Sequence, residues 1–321
     1  WPDRRLNFAP EWDLCSRSFG SKGPSRERSR ARAGAGAGRP RTGSAQPVCR
    51  RLRAIRIARF VAQGDPTYGV VELAEDSGPN PDTIAVVSGD PLAGPVHYTG
   101  ERLPLADVRL VAPVIPRSKV IGIGRNYAAH AAELGNEVPD QPIIFSKPNT
   151  SVIGPGEPIV YPPESKDLHY EGELAVVIGR ICRRVPVERA ADVIFGYTVA
   201  NDVTCRDLQK SDGQWTRAKG FDSFCPIGPW IATHLDIDEA GRLDIETTLN
   251  GEVVQSGNTE LMVRGVPELI AYVSAFTTLL PGDVILTGTP AGVGPMQPGD
   301  RVSVTIAGIG TLTNVVVAED A

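Results

Sequence analysis

The sequence predicts a mainly β protein with some α. Three observations carry that expectation. Apolar runs of four to eight residues recur along the chain, rich in Val and Ile and too short for helices. Thirty-four Gly and 28 Pro among 321 residues place turn signals between those runs. Helical composition is confined to Tyr127–Leu134 and to the segment VPELIAYVSAFTTL, which begins at Val266.

Residues 1–53 stand apart. They carry thirteen Lys/Arg against four Asp/Glu, a net of +9, whereas the rest of the chain carries twenty against thirty-four, a net of −14. The run SRERSRARAGAGAGRPRTGS is poor in apolar residues and cannot offset its ordering entropy by burial, so a disordered basic extension is expected here. A nucleic-acid-binding arm and a transit-like segment are weighed against a third reading, upstream sequence read through from a misplaced start. The third is preferred, because the chain opens on Trp1 and its first methionine is Met262.

From residue 55 to 113 the runs IRIARFV, YGVVEL, TIAVVSG and DVRLVAP, divided by SGPNPD and GDPLAGP, predict a small β domain without evident chemistry. His97 falls in it as a lone histidine. Residues 117–320 form the second predicted unit. Val120–Ile123 reads as a strand leading into Tyr127–Leu134, where His130 and Glu133 stand at i,i+3 and can share one helical face. PIIFSK is a strand ending at Lys147, and the later strands are LDIETTLNGEVVQ, DVILTG and DRVSVTIAGIGTLTNVVV.

The chemistry centres on HYEGELAVVIG and GYTVANDVTCRD. Glu171 and Glu173 open a buried-strand run and share a strand face, and the segment Phe195–Val199 delivers Asp202 at its end. Three converging carboxylates would suit a hard divalent cation; a solvated strand edge with a distant acid is the plainer alternative. His130 and Glu133 likewise read either as an oriented imidazole or as a surface ion pair.

Other patterns are set aside. G-I-G-R-N-Y lacks the third glycine and the acidic ribose partner of a dinucleotide site, and LTGTPAGVGPM lacks the lysine of a phosphate loop. Five cysteines without a C-x-x-C pair indicate neither a disulfide framework nor a zinc ribbon, which fits a reducing cytoplasm. No apolar stretch is long enough to cross a membrane as a helix.

Taken together, GIGRNYAAHAAELG, FSKPNT, HYEGELAVVIG, GYTVANDVTCRD, KGFDSFCPIGPW and LTGTPAGVG resemble the fumarylacetoacetate hydrolase family, in the family's order and across about residues 117–320. Residues 55–113 resemble the short N-terminal β domain of many bacterial members. The resemblance implies the family's mixed β-roll, a homodimer, and a cation held by Glu171, Glu173 and Asp202. Mg²⁺ is expected first, with Mn²⁺ or Ca²⁺ as alternatives. Some larger relatives add an aspartate where Ile123 stands here, so the chain looks like the three-carboxylate, short-chain branch. His169 is no family ligand, and Cys205 replaces a usual alanine.

What the resemblance implies for function is hydrolysis of a C–C bond in an acylpyruvate or related 2,4-dioxo acid. The small 2-oxo acid would chelate the cation. His130, oriented by Glu133, would activate water, with Arg206, Gln209 and Lys219 stabilising the oxyanion. Arg125, Lys147 and Thr289 are expected as substrate contacts. Oxaloacetate decarboxylation and isomerisation of a hydroxymuconate-type dienoate are alternatives on the same site, and nucleic-acid binding through the basic arm is a distant one.

Overall fold

The computed structural model describes residues 55–74 and 81–319. The basic extension over 1–53, with its expected disorder, lies outside the described residues. The described residues fall within one compact unit.

Five strands open it: β1 (Arg56–Val61), β2 (Thr67–Glu72), β3 (Thr83–Ser88), β4 (His97–Pro104) and β5 (Arg109–Val111). Alternation turns Ala58, Phe60 and Val71 inward, where they meet Ile84 and Val86. β1 to β4 pair antiparallel in order, and β5 pairs with the second half of β1. β4 is unread in the sequence. It is a polar, exposed edge strand, so it has no apolar face to announce it.

The chain continues through β6 (Val120–Gly124), α1 (Ala128–Glu133), β7 (Ile143–Lys147), β8 (Val152–Ile153), β9 (Ile159–Tyr161), β10 (Leu168–Tyr170) and β11 (Gly172–Ile178). After a short 3₁₀ segment, Val187–Val193, come β12 (Ile194–Asn201), β13 (Thr204–Cys205), α2 (Arg206–Ser211), α3 (Thr216–Gly220) and β14 (Cys225–Ala232). The remainder holds α4 (Ile237–Ala240), β15 (Asp244–Leu249), β16 (Glu252–Asn258), α5 (Val266–Phe276), β17 (Val284–Leu286), β18 (Gly294–Pro295), β19 (Arg301–Ile306) and β20 (Gly310–Ala318).

These strands make a mainly β fold of three sheets. The large mixed sheet runs β4-β3-β2-β1-β14-β12-β11-β17-β6-β7 and continues the first five strands through β1, whose Arg56 and Ile57 pair with Ala232 and Ile231 of β14. A second sheet has the order β16-β15-β19-β20-β9, and a small third one β13-β10-β18. β11 lies at the centre of the large sheet and every one of its residues is buried, which accounts for the unbroken run LAVVI. Its sheet packs against α5, through Val266, Leu269, Ile270 and Val273, and against Ile245, Val304 and Ile306 of the second sheet. The buried positions of α5 fall at i, i+3, i+4, i+7 and i+8, a single helical stripe. No helix among the described residues is long and apolar enough to cross a membrane.

Pairing register positions the acids. Gly172 stands opposite Asn201 across β11 and β12, so the residues flanking Gly172 meet the one that follows Asn201. Asp202 N–H donates to the Glu171 carbonyl at 2.8 Å, and Glu171 N–H donates to Asn201 Oδ1 at 2.9 Å. The end of β12 is thereby locked to the start of β11.

Candidate metal centre and active-site cleft

Glu171, Glu173 and Asp202 come together. One carboxylate oxygen from each lies within 4.8 Å of the others, and all three side chains are buried. Buried like charges at that spacing need positive charge among them. Lys219 at the end of α3 supplies part of it, with Nζ 2.9 Å from Glu171 Oε2, 2.6 Å from Asp202 Oδ2 and 2.9 Å from Thr204 Oγ1. Arg206 at the start of α2 donates from Nη2 to Glu171 Oε1 at 2.5 Å and from Nη1 to Gln209 Oε1 at 2.7 Å.

The three acids differ in consequence. Burial would raise Glu171, but the charges of Lys219 and Arg206 outweigh it and hold its carboxyl well below the usual range. Burial, with the Asp202 and Glu171 charges added, pushes Glu173 well above the ordinary value. Glu173 accepts a hydrogen bond from Gly288 N–H at 2.7 Å and forms no ion pair with a cationic side chain among the described residues. Burial works against the Lys219 ammonium, yet Asp202 and Glu171 more than offset it and raise its pKa.

Lys147 lies behind the acids. Its ammonium donates to the carbonyls of Val203 (3.1 Å), Lys219 (2.5 Å) and Phe224 (2.7 Å), which uses all three N–H groups. It also lies 2.6 Å from Asp202 Oδ1, an ion pair outside hydrogen-bond geometry, so that oxygen keeps its acceptor capacity. An oxygen-only set with one acid short of positive charge and one buried oxygen without a hydrogen bond fits a hard divalent cation.

A cleft of about 490 Å³ opens at Glu171, the member of the acid cluster that lines it. Glu171, Arg206, Gln209 and Lys219 line it together with Arg125, His130 and Glu133. His130 is buried in α1, with Nδ1 3.4 Å from Glu133 Oε2. Glu133 is itself held by Gly292 N–H, at 3.0 and 3.2 Å from its two oxygens. The pair therefore faces the cleft and is anchored to the loop that follows β17. Arg125 adopts φ 57°, a left-handed conformation uncommon outside glycine, at the rim of the same cleft.

Two of the expected substrate contacts sit elsewhere. Lys147 is buried and committed as described. Thr289 is buried too, with its hydroxyl donating to Gly172 O at 2.9 Å and accepting from Gln255 Nε2 at 2.8 Å. Neither lines the cleft. Both instead brace the backbone that carries the acids. His169 pairs through Nε2 with Asp167 Oδ1 at 2.8 Å and stays outside the acidic cluster; burial, then Arg206, lowers its pKa.

Several contributors escape sequence reading. Thr204, Gln255, Gly288 and Gly292 act through hydrogen bonds that cross the sheets, and no local spacing reveals such partners. Trp215 lines the cleft and packs its ring 5.7 Å from that of Phe145. Its signal was present in G-I-G. A Cβ on Gly124 would lie 2.5 Å from the Trp215 ring, and one on Gly122 would lie 2.0 Å from the Phe145 ring. The two glycines, at i and i+2 of β6, are seats for aromatic rings.

Comparison with known proteins agrees with this geometry. Residues 119–317 match the fumarylacetoacetate (FAA) hydrolase C-terminal family, and residues 55–113 match an Rv2993c-like N-terminal family. Protein Rv2993c of Mycobacterium tuberculosis is 50% identical over 263 residues, 82% of this chain and 98% of its own. The solved structure of a 5-carboxymethyl-2-hydroxymuconate delta-isomerase from Mycobacterium smegmatis is 49% identical with a TM-score of 0.74, covering 82% of this chain and all of that one. Oxaloacetate tautomerase Fahd2a, a mitochondrial protein of Rattus norvegicus, is 44% identical over 223 residues, 67% of this chain and 71% of its own. The six motifs, the buried acid cluster and a family match over most of the described chain converge: the protein belongs to the fumarylacetoacetate hydrolase family and is an enzyme of that family.

Proposed function

We propose that the chain is a divalent-cation-dependent hydrolase that splits a C–C bond in an acylpyruvate or related 2,4-dioxo acid. The observation that carries this reading is an imidazole–carboxylate pair that lines one cleft together with Glu171, a member of the three-acid cluster. Glu171, Glu173 and Asp202 would hold the cation, with Mg²⁺ preferred. When bound, it supplies a chelation point and an electrophile for the substrate's 1-carboxylate and 2-oxo oxygens.

The chain's own residues do the rest. Donation of Nδ1–H to Glu133 fixes the tautomer of His130 and leaves Nε2 to take a proton from water. The water oxygen attacks the 4-carbonyl. Arg206 and the amide N–H₂ of Gln209, whose Oε1 is already occupied, stabilise the charge that develops there, and Lys219, whose N–H groups are held by Glu171, Asp202 and Thr204, adds its positive charge. As the C3–C4 bond breaks, its electron pair passes to the pyruvate half as an enolate, which is then protonated at C3. The products are pyruvate and a carboxylic acid.

A second reading keeps the site and changes the outcome. The relatives named as a delta-isomerase and a tautomerase act on 2-oxo acid or dienoate skeletons through proton shifts, and His130 could move a substrate proton with no water attack. Mixing the protein and Mg²⁺ with acylpyruvates, oxaloacetate and hydroxymuconate-type dienoates separates the two. Hydrolysis predicts pyruvate released in equal amount to acylpyruvate consumed, stopped by EDTA and restored by Mg²⁺. Dienoate isomerisation or oxaloacetate enol–keto exchange without pyruvate release would favour the second reading. Homodimeric association and a cytoplasmic setting belong to the same proposal, and light scattering tests the former.

A further inference from the structure

The turn from β6 into α1 is built at a cost. β6 ends at Gly124, Arg125 takes the left-handed φ of 57°, and α1 begins at Ala128. A non-glycine residue keeps such a conformation only where its surroundings fix it. Asn126 does the fixing. Its side chain is buried; Nδ2 donates to the carbonyls of Thr287 at 2.8 Å and Arg264 at 3.0 Å, and Oδ1 accepts from Arg264 N–H at 2.9 Å. Its backbone carbonyl accepts from Val263 N–H at 2.8 Å. Both donors of the amide are thereby committed, to two segments remote in sequence.

What Asn126 grips leads to the site from both ends. Thr287 is tied to β11, with its N–H 3.1 Å and its Oγ1 2.9 Å from the Leu174 carbonyl. The next residue, Gly288, donates to Glu173 Oε2 at 2.7 Å, and Gly292 of the same loop holds Glu133. Gly288 packs so closely that a Cβ on it would lie 2.8 Å from that of Asn126. The loop 287–292 therefore touches the acid cluster at its head and the partner of His130 at its end. Asn126 fastens the start of the His130 helix to the head of that loop.

We propose that Asn126 is a positioning residue for His130: it fixes where α1 starts relative to the strand that carries Glu173, and so sets the place of the imidazole in the cleft. The inference rests on the reading of His130 as the group that moves a proton, and it holds alike for hydrolysis and for a proton shift. Thr287 keeps both of its bonds to β11 when the amide is removed, so the acids stay in place and the helix alone is loosened. Small displacements of a proton-moving group are costly in rate, because transfer needs hydrogen-bond reach.

The test takes Asn126→Ala, and Asn126→Ser as the milder second variant, in the full chain with Mg²⁺, each alone and combined with His130→Ala. Turnover is followed well below the thermal transition. Asn126→Ala should lower kcat about tenfold or more, with KM and the calorimetric Mg²⁺ affinity within about threefold of the parent. In the His130→Ala background the same change should cost less than about twofold, since no imidazole is left to misplace. Imidazole ¹⁵N spectra of the four histidines give a readout free of turnover. The His130 signals, assigned by their loss in His130→Ala, should shift in both Asn126 variants while those of His97, His169 and His234 stay. An equal loss with and without His130, a loss that tracks Mg²⁺ affinity, or unshifted His130 signals overturns the proposal. If His130→Ala alone turns over at the parent rate, the proton-moving reading fails instead. The spectra then decide the brace, a shifted His130 keeping it and an unshifted one removing it.

Discussion

Lys147 illustrates what a residue's type conceals. At the end of a strand and before a proline it reads as a surface or substrate-facing cation, yet it is buried with three carbonyls and Asp202 around its ammonium. Lys147→Met should cost about 3–5 kcal/mol in chemical denaturation, because it strands a buried carboxylate and three acceptors, and it should weaken Mg²⁺ binding as well. The acids themselves were legible: E-x-E at the head of an apolar run fixes two carboxylates on one face, and only their depth and partners were not. Glu173 makes the depth measurable. Its folded pKa is raised above the ordinary 4.5, so without metal the folded state holds the extra proton. That contribution is fully present below the ordinary value and is lost as pH rises through the raised one. A cation requires the carboxylate deprotonated and restores what is lost. The rise in Tm produced by Mg²⁺ should therefore be larger at pH 8 than at pH 5.5, and a pH-independent increment would exclude Glu173 as a ligand.

At the scale of elements, strands with an apolar pattern were legible and those without one were not. β11 and β12 announce themselves through LAVVI and the run at Phe195–Val199. β14 does not, since CPIGPWIA carries two prolines that argue against a central strand, yet it is buried throughout and pairs with both β12 and β1. The polar stretch RDLQKSDGQWTRAKG hides α2 and α3, too short to show helical periodicity. α1 was legible through its composition, but its tether was not. Gly292 holds Glu133 with φ 101°, and a Cβ there would lie 2.2 Å from the Val254 carbonyl oxygen. Gly292→Ala must shift the loop and free Glu133. It should lower kcat about tenfold or more by loosening the His130 base, with Mg²⁺ affinity close to that of the parent; steady-state kinetics beside a metal titration checks the pair.

For the whole molecule, sequence divides residues 55–113 from 117–320, and the two family models match residues 55–113 and 119–317. The backbone joins them. β1 pairs with β14, Trp230 of β14 packs with Phe60 and Ile84, and β14 pairs in turn with the strand that leads to Asp202. A chain beginning at Ile55 should keep the Tm and turnover of the full protein, as the described site draws on residues 125–292. One beginning at 117 should melt lower and associate, because it bares Trp230 and an unpaired strand edge. Both are read by calorimetry and light scattering. All of this architecture brings one imidazole into the same cleft as Glu171 of the acid cluster, and that juxtaposition is most directly tested by kcat/KM for acylpyruvate hydrolysis in His130→Ala, measured beside its Mg²⁺ titration. The account predicts a loss of about 10²–10⁴-fold with metal affinity nearly unchanged. Hydrolysis at the parent rate in His130→Ala would contradict it and reduce the His130–Glu133 pair to an ion pair at the mouth of the cleft.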